Sequence, residues 1–122
     1  MLATVVAYGR FCPMTDYISV YITAASADEA EKIALALVEG KLAACVNIIP
    51  AVRSIYRWQG KVEASDEVVL IAKSRAELFP RLETMVRSLS SYTCPCIVAW
   101  PIVEGSKPYL EWLAKETDRQ QI

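Results

Sequence analysis

The pair Cys94 and Cys96, separated by Pro95, is the part of the chain best suited to holding a metal ion. Thiols two positions apart on an extended segment face the same way, and thiolates select soft ions such as monovalent copper. The pair supplies only two ligands, and Pro95 fixes their spacing without making the tight turn of a C-x-x-C site. The alternative reading makes Cys96 a small core residue entering a strand and Cys94 a residue of the preceding loop. Glu63, Asp66 and Glu67 form an acidic cluster that suits either a cation or a solvated hairpin face. Lys61 and Lys73 are either salt-bridge partners of that cluster or, with Tyr56 and Trp58, the lining of a pocket between subunits where an anionic small molecule fits. Cys45 alternates with apolar neighbours and reads as a buried thiol packed under the first helix. Trp58, Trp100 and Trp112 lie too far apart in sequence to form a base-stacking platform and read as core or interface residues.

Composition narrows the chemistry further. The chain has 122 residues and no histidine, which removes the commonest imidazole ligand and the usual general base of nucleophilic triads. With four glycines, and neither a phosphate-cradling loop nor a hydrolase elbow, a catalyst is the weakest of the functional classes. Thirteen basic residues against fourteen acidic ones, net charge -1, leave no nucleic-acid footprint and no polybasic membrane patch. No apolar run is long enough to span a bilayer, and the amino-terminal stretch lacks a basic leader, which points to the cytoplasm. Four cysteines are too few for a disulfide framework and suit a reducing compartment as thiols.

These residues are positioned by alternating strands and helices. Asp16 to Ala24 reads as a strand rich in Tyr, Ile and Val. Ser26 and Glu29 make a capping box, followed by an apolar helical face (Ala30, Ile33, Ala34, Leu37, Val38) that Gly40 terminates. From Leu42 to Trp58 the even positions are mostly apolar, with Asn47, Arg53 and Arg57 on the odd side, the period of a strand. Gln59 and Gly60 supply a turn, and Val62, Ala64, Val68, Leu70 and Ala72 carry the returning strand. Ser74 and Glu77 make a second capping box, with Leu78, Leu82, Met85, Val86 and Leu89 as the helical face and Pro80 shifting its start. Cys96 to Val103 is a last strand, and Ser106 to Thr117 a terminal helix. The order β-α-β-β-α-β plus a helix predicts an α+β, ferredoxin-like domain over residues 16–122. Residues 1–15 form a leading segment, either a disordered arm or a mis-assigned beginning, with Met14 an alternative start and Cys12 outside the domain.

The hairpin is too long for this domain. A straight strand from Leu42 to Trp58 would reach about 55 Å, whereas a globule of this length has a radius of gyration of about 14 Å. Pro50 offers a bend, since it cannot donate a ladder hydrogen bond and belongs at an edge or bulge. A bend does not hide Tyr56 and Trp58, and a neighbouring subunit is the economical cover, which predicts an oligomer.

The stretch "KLAACVNIIPAVRSIYRWQGKVEASDEVVLIAKS" resembles the CutA family of divalent-cation tolerance proteins in its "AACVN", its "SIYRWQGK" hairpin tip and its returning "DEVVLIAKS". "ITAASADEAEKIA" before it and "YLEWLAKET" after it extend the resemblance over about Tyr17 to Thr117. The resemblance implies a ferredoxin-like subunit, an interlocked homotrimer, a cytosolic or organellar location and tolerance to copper and other divalent ions. The candidates for an inter-subunit cleft or interface are Tyr56, Trp58, Lys61, Glu67, Lys73 and Tyr92. Members of the family usually carry "HPYxxPE" before the last strand, whose His and Glu have been proposed to bind metal. Here "SSYTCPC" places Ser90 and Ser91 at the His-Pro positions and Cys96 at the Glu, and only Tyr92 and Pro95 remain. Serine is a poor replacement ligand for divalent copper, so Cys94 and Cys96 are the metal candidates that are left. Two readings follow: a trimeric binding or scaffold module linked to copper tolerance, or a trimer resembling the PII signalling proteins that binds a small effector between subunits without metal function.

Overall fold

The structure, a computed structural model, describes residues 15–118. Apart from Thr15, the leading segment expected over residues 1–15, with Cys12 and Met14, falls outside the described residues. Strand β1 (Tyr17–Ala24) is followed by helix α1 (Ala27–Glu39), the hairpin strands β2 (Cys45–Trp58) and β3 (Lys61–Arg75), helix α2 (Phe79–Leu89), strand β4 (Ile97–Pro101) and helix α3 (Lys107–Glu116). The sheet order is β2-β3-β1-β4 with every neighbouring pair antiparallel, the split β-α-β arrangement that the element order predicts.

Period two explains the core. Ile18, Val20, Ile22 and Ala24 of β1 stand opposite Ser74, Ala72, Leu70 and Val68 of β3, and all eight are buried. The seven apolar members of this set join Ala30, Ile33 and Leu37 of α1 and Leu82 and Val86 of α2 in one apolar layer between sheet and helices. Cutting such a leucine or isoleucine to alanine costs about 2–5 kcal/mol.

Helix α1 starts where the sequence predicts and half of the capping box forms: the Glu29 amide donates to the Ser26 hydroxyl at 3.1 Å, while the Glu29 carboxylate turns to the Ala25 amide instead of that of Ser26. Its end differs: Gly40 keeps an ordinary φ of -82° and Lys41 takes the left-handed position at φ 59°. Gly40 eases a tight spot, because a Cβ there would lie 3.1 Å from the Ala36 carbonyl oxygen. The second capping box does not form. Ser74 is a fully buried strand residue whose hydroxyl donates to the Leu42 carbonyl at 2.6 Å. The chain leaves β3 through a 3-10 turn (Ala76–Leu78), and α2 begins without a side-chain cap, with Pro80 in its first turn, where a missing N–H costs least.

The hairpin turn is Gln59 and Gly60, both at positive φ (52° and 81°), the two-residue type whose twist matches the flanking strands. The register slips by one residue between Ile49 and Val52, so Pro50 lies at a bulge, as expected. The bulge also inverts the strand's faces, which the sequence pattern alone does not show. Val46 and Ile48 lie opposite Ala72 and Leu70 on the helix-covered side, whereas Val52, Ser54, Tyr56 and Trp58 lie opposite Glu67, Ser65, Glu63 and Lys61 on the other. The even-numbered apolar face is therefore split between the two sides of the ribbon.

Candidate functional site at the root of the hairpin

The sheet carries helices α1 and α2 on one face, and the odd-numbered residues of β1 and β3 point to the other. Glu67 is on that second face, where the hairpin leaves the sheet: Val68 is the last β3 residue paired with β1, opposite Ala24. The loop from Ser90 to Cys96 brings Tyr92 to Glu67. Burial first, then contact with the Glu67 carboxylate and the charges of Glu67, Glu29 and Tyr56, push the Tyr92 phenol well above its ordinary range. Tyr56 belongs to the same neighbourhood, its hydroxyl 3.2 Å from that of Ser65.

Cys96 joins this cluster. Burial, the Glu67 carboxylate and the neighbouring Cys94 push its thiol up, away from the thiolate form. Cys94 and Cys96 are exposed residues in the single chain, the Cys96 thiol being only partly shielded by its neighbours, so the reading of Cys96 as a core residue fails: it precedes β4, which begins at Ile97, and Ile97 packs against the core instead. Among the described residues no three Cys, Asp or Glu side chains group closely enough to hold a metal ion. The expected acidic cluster also divides. Asp66 is bound to Arg53 at 3.0 Å on the ribbon face opposite Glu67.

The lysines are far apart. Lys61 lies beside the turn opposite Trp58, while Lys73 lies opposite Cys45, about 40 Å along β3. Lys73 donates to the Asn47 side-chain oxygen, which the Cys45 thiol approaches at 3.9 Å. Cys45 is therefore not under the first helix. It is an odd-side residue paired with Lys73, half-buried and next to Tyr109 of α3, whose phenol is pushed up by burial and by Cys45. Asn47 and Tyr109 carry no sequence signal for this grouping, which arises from α3 folding back over the sheet. Trp58, Lys61 and Tyr56 all ride on the outer part of the arm, with Trp58 and Lys61 flanking the turn and Tyr56 two residues in from Trp58.

The arm exposes apolar groups on both faces: Ile55 (73%) and Val62 (65%) on one, Tyr56 (43%) and Trp58 (45%) on the other. The rest of the face turned away from α1 and α2 adds Trp100, which meets Tyr21 edge to face at 5.6 Å, and Val98.

A family model described as CutA1 divalent ion tolerance protein matches residues 18–116. The chain belongs to the CutA1 family. A CutA1 structure from Thermus thermophilus is 50% identical, superposes with a TM-score of 0.81, and matches 83% of this chain and 98% of that one. The Archaeoglobus fulgidus structure described as the periplasmic divalent cation tolerance protein CutA is 45% identical with a TM-score of 0.81, covering 84% and 99%. An Arabidopsis thaliana relative named chloroplastic CutA is 43% identical over 100 residues, covering 82% of this chain and 55% of that protein.

Proposed function

We propose that this CutA-family chain acts as a cytoplasmic homotrimer linked to tolerance of divalent cations, copper among them, as a binding or scaffold module and not as a catalyst. The observation that carries the reading is the hairpin arm, whose two faces both expose large apolar side chains beyond the last β1–β3 pair. A second and third copy would cover them, and placing the arm against a neighbour would turn the Glu67, Tyr92 and Cys96 edge into an inter-subunit cleft. That edge gathers a carboxylate, phenols and two thiols, a donor set that attracts cations. Cys94 and Cys96 are the groups of this chain that a soft cation would touch, with further donors drawn from the neighbour. The test is cuprous-ion uptake against a competing chelator: Cys96→Ser should abolish it, and equal stoichiometry in both proteins would contradict the assignment.

A second reading, an effector-binding trimer of the PII kind, is favoured by one observation. Among the described residues no carboxylate lies within salt-bridge distance of Lys73, whose ammonium sits with neutral Asn47 beside Cys45 and Tyr109, a setting that suits an anionic ligand. Retention of an organic anion, lost in Lys73→Met, would support that reading over the first.

A further inference from the structure

We infer that Glu29 is the positioning residue for the loop that carries Tyr92, Cys94 and Cys96, holding it against the turn between β1 and α1. The inference rests on the reading of that loop as part of the binding site. The sequence shows Glu29 only as the third residue of a capped helix. A capping box would send its carboxylate back to the Ser26 amide. Instead its two oxygens divide between two segments: Oε2 accepts from the Ala25 amide at 3.4 Å, and Oε1 accepts from the Ser91 amide at 3.2 Å, 62 positions along the chain.

Ser91 is a sensitive place to hold. The loop is fixed at its start, where the Ser90 amide donates to the Val86 carbonyl at 2.9 Å, and at its end, where the Thr23 amide donates to the Cys96 carbonyl at 3.3 Å. Between these anchors the Tyr92 amide turns back locally to the Ser90 hydroxyl at 3.1 Å. Among the described residues, the bond to Glu29 is the one hydrogen bond that reaches the backbone of residues 91–95 from another element. Tyr92 follows Ser91 directly, so the backbone that aims its phenol at Glu67 is placed by Glu29. A carboxylate is well suited to this role, because it stands in the first turn of α1, where the helix favours negative charge, and an ionised acceptor makes the stronger bond. Glu29 thus couples the start of α1 to the loop.

The experiment uses the full chain in its native assembly and compares Glu29→Ala with Ser26→Ala, which removes the same helix's cap but leaves the Ser91 bond intact. Amide hydrogen exchange at Ser91 should quicken about tenfold in Glu29→Ala, the expected effect of losing one bond to a charged acceptor. Near-ultraviolet circular dichroism should lose the Tyr92 contribution, identified by Tyr92→Phe, and cuprous affinity should weaken. Ser26→Ala should lower the melting temperature and leave Ser91 exchange, the spectrum and the affinity unchanged. Unchanged exchange in Glu29→Ala, or equal quickening in both variants, would reduce Glu29 to a helix cap and overturn the inference. Quickened exchange with unaltered cuprous affinity, where Cys96→Ser abolishes uptake, would overturn it as well. If the parent protein takes up no cuprous ion, the binding reading fails, while exchange and dichroism still decide whether Glu29 holds the loop.

Discussion

Ala24 stands opposite Val68 as the last pair between β1 and β3, and from that point the hairpin runs on to Trp58 and Lys61 with no third strand beside it among the described residues. A two-stranded ribbon alone is marginal in water. Here it also presents apolar residues on both faces, a surface that a partner laid against it would cover. Exposure of 45% at Trp58 in the single chain measures what a partner would cover.

Replacing Trp58 with alanine should therefore weaken assembly, by about 2 kcal/mol or more for a buried interfacial aromatic. Dilution of wild-type and variant proteins in sedimentation velocity would measure it. Identical dissociation in the two proteins would mean that Trp58 faces solvent in the assembly.

The Tyr92 phenol sets a limit on alkaline stability. Because folding raises its pKa above the ordinary 10.0, the folded protein holds the proton more tightly than the unfolded chain. Its contribution is complete below pH 10 and is lost as the pH climbs beyond it. Denaturant unfolding between pH 9 and 11.5 should show a steeper loss of stability in the wild type than in Tyr92→Phe. Parallel curves would remove Tyr92 from the buried cluster.

Cys96 gives a matching test of the electrostatics at the same edge. Since burial and then Glu67 oppose its ionisation, Glu67→Gln should lower the pH at which Cys96 becomes reactive, and iodoacetamide labelling at neutral pH should speed up. Site-resolved mass spectrometry separates Cys96 from Cys94 and Cys45. A labelling rate at Cys96 unchanged by Glu67→Gln would show that the carboxylate does not reach the thiol.

What could be read from the sequence is local. Ser26 before Glu29, the apolar spacing of α1 and the Gln59-Gly60 turn each specify their structure within a few residues, and the split sheet order follows from the succession of elements. Misreadings arose where tertiary pairing overrode a local pattern. Ser74 and Glu77 have the spacing of a cap, but Ser74 pairs with Ile18 inside the sheet, so the strand continues past the point where a helix could begin. Alternation assigned residues 42 to 58 to one continuous face, and a single extra residue at Pro50 sent Tyr56 and Trp58 to the other side. Parity against β1 likewise places Cys45 away from α1. The meeting of Glu67 with Tyr92, and of Glu29 with Ser91, joins residues 25 and 62 positions apart and leaves no periodic trace.

The most direct measurement of the central claim is a native mass spectrum of the full-length protein purified without added metal. The account predicts three chains held together, with the same state persisting on dilution. A monomer would contradict it, because the apolar arm would then stand in water uncovered.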